Sequence, residues 1–276
     1  MATSGAGGPH ALHKRKMPDL QELADLAVEL AAGAAAIHRQ HVRSTLRPET
    51  KSSNTDMVTE VDRQAERFLA EGILRARPDD GILGEEETRR AGTSGVRWIV
   101  DPLDGTTNYI YGYPAHAVSI GIEVDGVPSV GVVHDSSREE VFVGVRGAGA
   151  TLNGRTIHAG KHADLSTALV ATGFLALPEQ RARLGAIVAR VLPRVRDIRR
   201  GGSAALDLCA VACGRVDAYY EVGLGDWDRA GGSVIASAAG AEVREIALAN
   251  GPSPLLVAAS PALLQPLLDL LRDAGL

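Results

Sequence analysis

The sequence predicts an α+β architecture that passes into α/β part-way along the chain. Three observations carry that reading. Two helix-periodic segments come first, over 20–34 and after Thr59. Short apolar runs between residues 98 and 145 are then separated by turn residues, and short strands joined by short turns pair antiparallel. Beyond about residue 160, apolar runs alternate with helical patterns, the mark of a layered α/β half. The expected division is a disordered tail over 1–16, an α+β half with an antiparallel sheet over 17–160, and an α/β half over 161–276. No flexible linker separates the halves, so they are expected to pack closely.

The first helix opens at Pro18, a residue suited to a first turn, and aligns Leu20, Leu23, Ala27, Leu30 and Ala34. The second follows Thr59, carries Val61, Ala65, Phe68, Leu69 and Ile73, and stops before Pro78. Trp98-Ile99-Val100 reads as a short buried strand, followed by strands over 116–124, 129–134 and 141–145. Asp125-Gly126 and Ser136-Ser137-Arg138 read as the turns between them. A strand over 168–172 and helices over 179–191 and 203–213 come next. They are followed by a strand over 217–221, a helix over 229–239, a strand over 255–259 and a last helix over 261–272.

Composition narrows the function classes. The net charge of −5 argues against a non-specific nucleic-acid binder, which needs a basic surface. An acidic chain that handles anionic substrates needs a neutralising partner, and a bound divalent cation supplies one. Aromatic residues are only 4%, so Ala, Gly, Val and Leu must fill the core. Cys209 and Cys213 are spaced neither as a zinc ribbon nor as Cys-x-x-Cys and read as core residues, in keeping with a cytoplasmic location. No apolar run reaches the roughly 18 residues of a membrane span. The first residues lack the apolar stretch of a signal peptide, and Met17 is an alternative start.

The densest chemistry lies in Asp101-Pro102-Leu103-Asp104-Gly105-Thr106-Thr107-Asn108, directly after the strand at 98–100. Two carboxylates three residues apart at a strand end can address one cation, and Pro102 stiffens the turn between them. Oxygen-only ligands select a hard ion such as Mg²⁺. Gly105 followed by two threonines at a helix start offers backbone N–H groups to a phosphate. Three further segments are ambiguous when taken alone. Glu85 lies in a Glu run, and such a run usually reads as a solvated face. Thr59 and Asp62 fit a capping box. Asp228, at a helix start, reads as a cap or a ligand, and Lys51 as a solvated loop lysine.

Taken together, Gly84-Glu85-Glu86, Trp98 through Asn108 and Trp227-Asp228-Arg229-Ala230-Gly231-Gly232 match one family in order, spacing and type. Over roughly 18–276 the chain resembles the inositol monophosphatases of the Mg²⁺-dependent, Li⁺-sensitive phosphatase superfamily. That resemblance implies a five-layer αβαβα sandwich with the active site between its halves. It implies two or three Mg²⁺ ions on Glu85, Asp101, Asp104, Asp228 and the Leu103 carbonyl. Asp62 would hold a water and orient Thr106, and Glu85 and Thr106 would activate the attacking water. Backbone N–H groups of Gly105 and Thr106 would take the phosphate, and Lys51 would help assemble the site. Gly202, Ser203, Ala204, Glu221 and Asp228 would contact the substrate.

The implied reaction is hydrolysis of a small phosphate monoester, first of all inositol 1-phosphate, with Li⁺ inhibition and a homodimeric assembly. Gly225 departs from the larger polar residue common in inositol-preferring relatives, which leaves the alcohol half open. Histidinol phosphate, fructose 1,6-bisphosphate and 3′-phosphoadenosine phosphates are the alternative substrates. A regulatory binding protein for the transcription machinery is the alternative of another class.

Overall fold

The computed structural model describes residues 17–41, 49–50, 57–248 and 253–276, the side chains of 49–50 and 57–58 excepted. The tail over 1–16 and Lys51 lie outside the described residues.

Helix α1 (Leu20–His41) leads to a two-stranded antiparallel pair, β1 (Glu49–Thr50) with β2 (Met57–Val58), and then to α2 (Glu60–Ala76). Thr59 caps α2 in a capping box closed by Asp62, as the sequence suggests. A run of strands follows: β3 (Gly81–Gly84), β4 (Arg89–Arg90), β5 (Val96–Asp104), β6 (Ala117–Val124), β7 (Val127–Asp135), β8 (Glu140–Val145), β9 (Gly149–Leu152) and β10 (Arg155–Ile157). They form an eight-stranded sheet in the order β10-β9-β8-β7-β6-β5-β3-β4. Every pair is antiparallel except β3 with β5. A short helix α3 (Thr106–Tyr111) links β5 to β6.

The second sheet holds β11 (Leu169–Thr172), β12 (Asp197–Arg199), β13 (Ala218–Val222), β14 (Glu242–Ile246) and β15 (Leu255–Ala259) in the order β12-β11-β13-β15-β14. It is mixed: β11 runs parallel to β12 and β13, while β15 runs antiparallel to β13 and β14. Its helices are α4 (Pro178–Val191), α5 (Ala204–Ala212), α6 (Asp226–Ala238) and α7 (Pro261–Ala274).

Three apolar clusters stack these elements into five layers. Leu23, Ala27, Leu69 and Ile73 of α1 and α2 pack on Trp98, Val100, Ile120 and Val132 of the first sheet. Ala205, Leu208 and Ile235 of α5 and α6 fill the space between Val133 and Phe142 on one side and Tyr219 and Leu256 on the other. Leu184, Ile187, Leu263 and Leu267 of α4 and α7 cover Val170, Tyr220 and Val257. The result is the expected αβαβα sandwich.

Small residues set the spacing of the middle layer. A Cβ added to Gly131 would lie 2.2 Å from the Gly231 carbonyl, and one on Gly121 would lie 2.5 Å from Ala230 Cβ. Helix α6 therefore lies low on the sheet, which a chain poor in aromatics can build.

Strands β9, β10, β12 and β14 were not expected from the sequence. They are short or edge-lying and mix polar with apolar residues, so they carry little periodicity. Helix α6 starts at Asp226, three residues earlier than the apolar pattern indicates. Asp226 and Asp228 occupy its first turn, where acidic side chains complement the helix dipole.

Candidate active site

The ladder between β5 and β6 breaks at the acidic segment. Asp101 pairs with Ser119 and Asp104 with Ala117, so β5 advances three residues while β6 advances two. In a regular strand, residues at i and i+3 face opposite sides. One extra residue returns Asp104 to the side of Asp101, and Pro102, which has no N–H for the ladder, sits within the bulge. Asp101 Oδ1 then accepts the Leu103 N–H at 3.0 Å.

Helix α6 brings Asp228 to the same place. Asp101, Asp104 and Asp228 each offer a carboxylate oxygen, and all three oxygens lie within 4.8 Å of one another. Glu85, after β3, is hydrogen-bonded to Asp101, and its charge acts on all three aspartates. Burial holds Asp101 and Asp228 well above the usual carboxylate range, and their acidic neighbours add to it. Asp104 is pushed up to about 6 by burial, against the pull of Ser203 and of the Ala205 N–H. Carboxylates so placed repel one another and take up protons unless a cation neutralises them. An all-oxygen set of this kind fits a hard divalent ion.

Each of the aspartates has one oxygen fixed by the fold. Asp228 Oδ2 accepts the Gly225 N–H at 2.6 Å, so the cap and ligand readings of this residue are compatible. Asp104 Oδ2 accepts from Ser203 Oγ at 2.6 Å and from the Ala205 N–H at 2.7 Å, at the start of α5. Asp62 Oδ2 accepts the Thr59 N–H and hydroxyl at 2.8 and 2.5 Å. Its Oδ1 lies 3.0 Å from Thr106 Oγ, which is also 2.9 Å from the Leu103 carbonyl.

Gly105 sits between Asp104 and Thr106 with φ of 89°, and a Cβ there would also strike the Ala115 carbonyl at 2.7 Å. Only glycine meets both demands. Asn108 ties this turn to the other half, donating to the carbonyls of Ala115 at 2.7 Å and Gly201 at 2.9 Å.

Two supports were invisible in the sequence. His38, in the last turn of α1, is fully buried and bridges Ser136 Oγ at 2.8 Å and the Pro102 carbonyl at 2.9 Å. Burial, followed by the field of His116, lowers its pKa to about 3. The ring is neutral, so Nε2–H donates to Pro102 and Nδ1 accepts from Ser136. Glu66 of α2 accepts the backbone N–H groups of Glu86, Glu87 and Thr88 at 2.7–2.8 Å, which fixes the loop carrying Glu85. No local pattern marks either residue, because the partners lie 20 or more positions away.

A cleft of about 560 Å³ opens over the cluster, lined among others by Glu85, Gly105, Thr106, Arg181, Gly202 and Asp228. Glu221 at the end of β13 accepts the Tyr219 hydroxyl at 2.6 Å, and burial pushes it up to about 7. Asp207 of α5 is pushed up to about 8 by burial and by Glu221. Gly202 lines the cleft, whereas Ser203 is buried with its hydroxyl committed to Asp104. Ala204 opens α5 and adds a backbone hydrogen bond to Asp104.

The model of the inositol monophosphatase family matches residues 19–272. The chain belongs to that family. It is 44% identical over 235 residues to the inositol-1-monophosphatase SuhB of Mycobacterium tuberculosis, covering 80% of each chain. It is 41% identical over 233 residues to the Nus factor SuhB of Xylella fastidiosa, covering 83% of each. The solved structure of the extragenic suppressor protein suhB from Bartonella henselae superposes with a TM-score of 0.84 at 32% identity, over 92% of this chain and 98% of that one. For an inositol monophosphatase family member, the residues expected at the site fall together: Glu85, Asp101, Asp104 and Asp228 form one cluster, with Asp62 and Thr106 beside it.

Proposed function

We propose that this chain is a Mg²⁺-dependent phosphoric monoester hydrolase for a small phosphorylated polyol, with inositol 1-phosphate the first candidate. The observation that carries the reading is the convergence of Asp101, Asp104 and Asp228 at the foot of an open cleft. In this reading two or three Mg²⁺ ions would be held by Glu85, Asp101, Asp104, Asp228 and the Leu103 carbonyl, supplying charge neutralisation and a lowered pKa for the attacking water.

The chain's own groups do the positioning. Asp62, its Oδ2 taken by Thr59, receives the Thr106 hydroxyl on Oδ1 and leaves the lone pairs of that hydroxyl free to hold a water. Glu85 is the second group on that water. Backbone N–H groups of Gly105 and Thr106 hold the phosphate, and Lys51 helps assemble the site. Gly202, Ser203, Ala204 and Glu221 form the alcohol side, Ser203 acting through Asp104. The leaving alkoxide takes its proton from a water beside Asp228, and no phosphoenzyme forms.

Li⁺ inhibition, a homodimer and a cytoplasmic location belong to the same reading. No helix among the described residues is long and apolar enough to cross a membrane. The test is phosphate release from inositol 1-phosphate, histidinol phosphate, fructose 1,6-bisphosphate and 3′-phosphoadenosine 5′-phosphate, each with Mg²⁺ and with EDTA. EDTA-sensitive preference for inositol 1-phosphate supports the full reading, and preference for another ester keeps the chemistry and changes the substrate.

Relatives named Nus factor favour a second reading, a regulatory binding protein for the transcription machinery. Retention of polymerase or ribosomal proteins in a pull-down, with no release from any ester, would put that reading first.

A further inference from the structure

A second cleft, of about 410 Å³, opens between the first sheet and the edge strand β14, alongside α6. It shares no lining residue with the cleft over the carboxylate cluster. Ile99 of β5, Pro128 of β7, Val234 of α6 and Val243 of β14 give it apolar walls. Ile99 and Val234 are only 3% and 7% exposed, yet neither belongs to an apolar cluster among the described residues. They border space that the fold's own side chains do not fill. The volume falls within the roughly 300–1,000 Å³ of small-molecule sites.

Two polar atoms on α6 stand in this apolar setting. Arg229 Nε and Ser233 Oγ are buried and have no hydrogen-bond partner. Both residues line the cleft, and their i, i+4 spacing puts them one turn apart on one helix face. The Arg229 side chain is held in place by its other nitrogens, Nη2 donating to Asp226 at 2.5 Å and Nη1 to Glu245. Its Nε–H is a donor only, and the serine hydroxyl can also donate. Buried donors of this kind rarely stay unmatched in a native fold.

The charges around the cleft cancel. Arg146 and Arg229 stand against Asp226 and Glu245, while Glu123 is taken by Arg97 at 2.9 Å. An anion would meet the carboxylates that hold Arg229, and a cation would leave the two donors without an acceptor. We propose that this cleft is a second binding site, for a neutral small molecule with an apolar body and a carbonyl or hydroxyl oxygen that accepts from Arg229 Nε and Ser233 Oγ. The site lies outside the phosphatase machinery, although its occupant would touch the turn of α6 next to Asp228.

The test titrates the isotope-labelled full chain with three probes of similar size, acetophenone, benzoate and benzylammonium, and follows amide chemical shifts. Acetophenone should bind saturably on the millimolar scale, with the two ions at least about tenfold weaker. Ser233→Ala, which removes one donor, should weaken acetophenone by about fivefold, the scale of one hydrogen bond. Ser237→Trp, at an exposed position on the rim, should block the cleft and abolish binding in a chain that keeps its fold. Equal affinity for all three probes, or acetophenone binding unchanged in both variants, overturns the proposal. Absence of saturable binding by any probe overturns it as well and makes the cleft a water-filled gap. None of these measurements depends on phosphate release.

Discussion

At the residue scale the cluster works against itself in the absence of a cation. Asp101→Asn should abolish Mg²⁺-supported turnover, since it removes an anionic oxygen from the set, yet it should raise the melting temperature in EDTA by relieving repulsion. Activity and melting measured on one preparation check both signs, and a fall in both would contradict the assignment.

The pH dependence follows from the raised carboxyls. Asp104, Glu221 and Asp207 titrate in the folded chain near 6, 7 and 8, above their unfolded values of 3.8, 4.5 and 3.8. Groups raised in this way favour folding at low pH, and their contribution is lost as pH rises through the folded values. His38 acts in the other direction, because its folded value of about 3 lies below 6.5 and its contribution is lost as pH falls from 6.5 toward 3. Above pH 6.5 the carboxyls stand clear of His38. The melting temperature in EDTA should fall from pH 6.5 to 8, and Mg²⁺ should reduce that fall. A flat profile in EDTA would refute the charge argument.

His38 itself gives the mechanical test. Its replacement by Phe leaves the Pro102 carbonyl and the Ser136 hydroxyl without their buried partner, a cost of about 2–5 kcal/mol for two such groups. Urea unfolding would read it. Asp101 and Asp104 could be picked out from their motif, and Glu85 from the family resemblance. His38 could not, since a single histidine in a helical stretch announces no partner on a strand 64 residues away.

At the scale of elements, the bulge in β5 matters most. It explains how two aspartates of opposite strand parity serve one site, a point the spacing alone did not explain. The loop after β3 is the second device. Glu66→Ala removes the acceptor of three backbone N–H groups and frees the segment bearing Glu85. Turnover should drop by at least about tenfold, as expected when a reacting group loses its position, with a smaller change in KM. Steady-state kinetics would show the split, and unchanged kcat would mean that the loop is held by other contacts. Elements with a clear apolar rhythm, such as α2, β6, β15 and α7, were legible before the structure. Strands β10 and β12 were not, because Arg155-Thr156-Ile157 and Asp197-Ile198-Arg199 each offer only one apolar residue.

For the whole molecule, layering places the cleft where the two sheets and the middle helices meet. The first sheet supplies Asp101 and Asp104, the middle helices supply Asp228 and the supports of Asp104, and the second sheet supplies Glu221. The alternation of patterns disclosed two kinds of half. The five-layer stack was implied by family resemblance, because strand order depends on contacts between distant segments that periodicity does not encode. A cation that binds the folded state selectively should stabilise the entire sandwich, so saturating Mg²⁺ should raise the melting temperature at pH 7.5.

The most direct measurement is phosphate release from inositol 1-phosphate by the purified chain with Mg²⁺, then with excess EDTA, then with Mg²⁺ restored. The carboxylate cluster predicts turnover, its loss and its return. Turnover that persists in EDTA would contradict the role given to Asp101, Asp104 and Asp228.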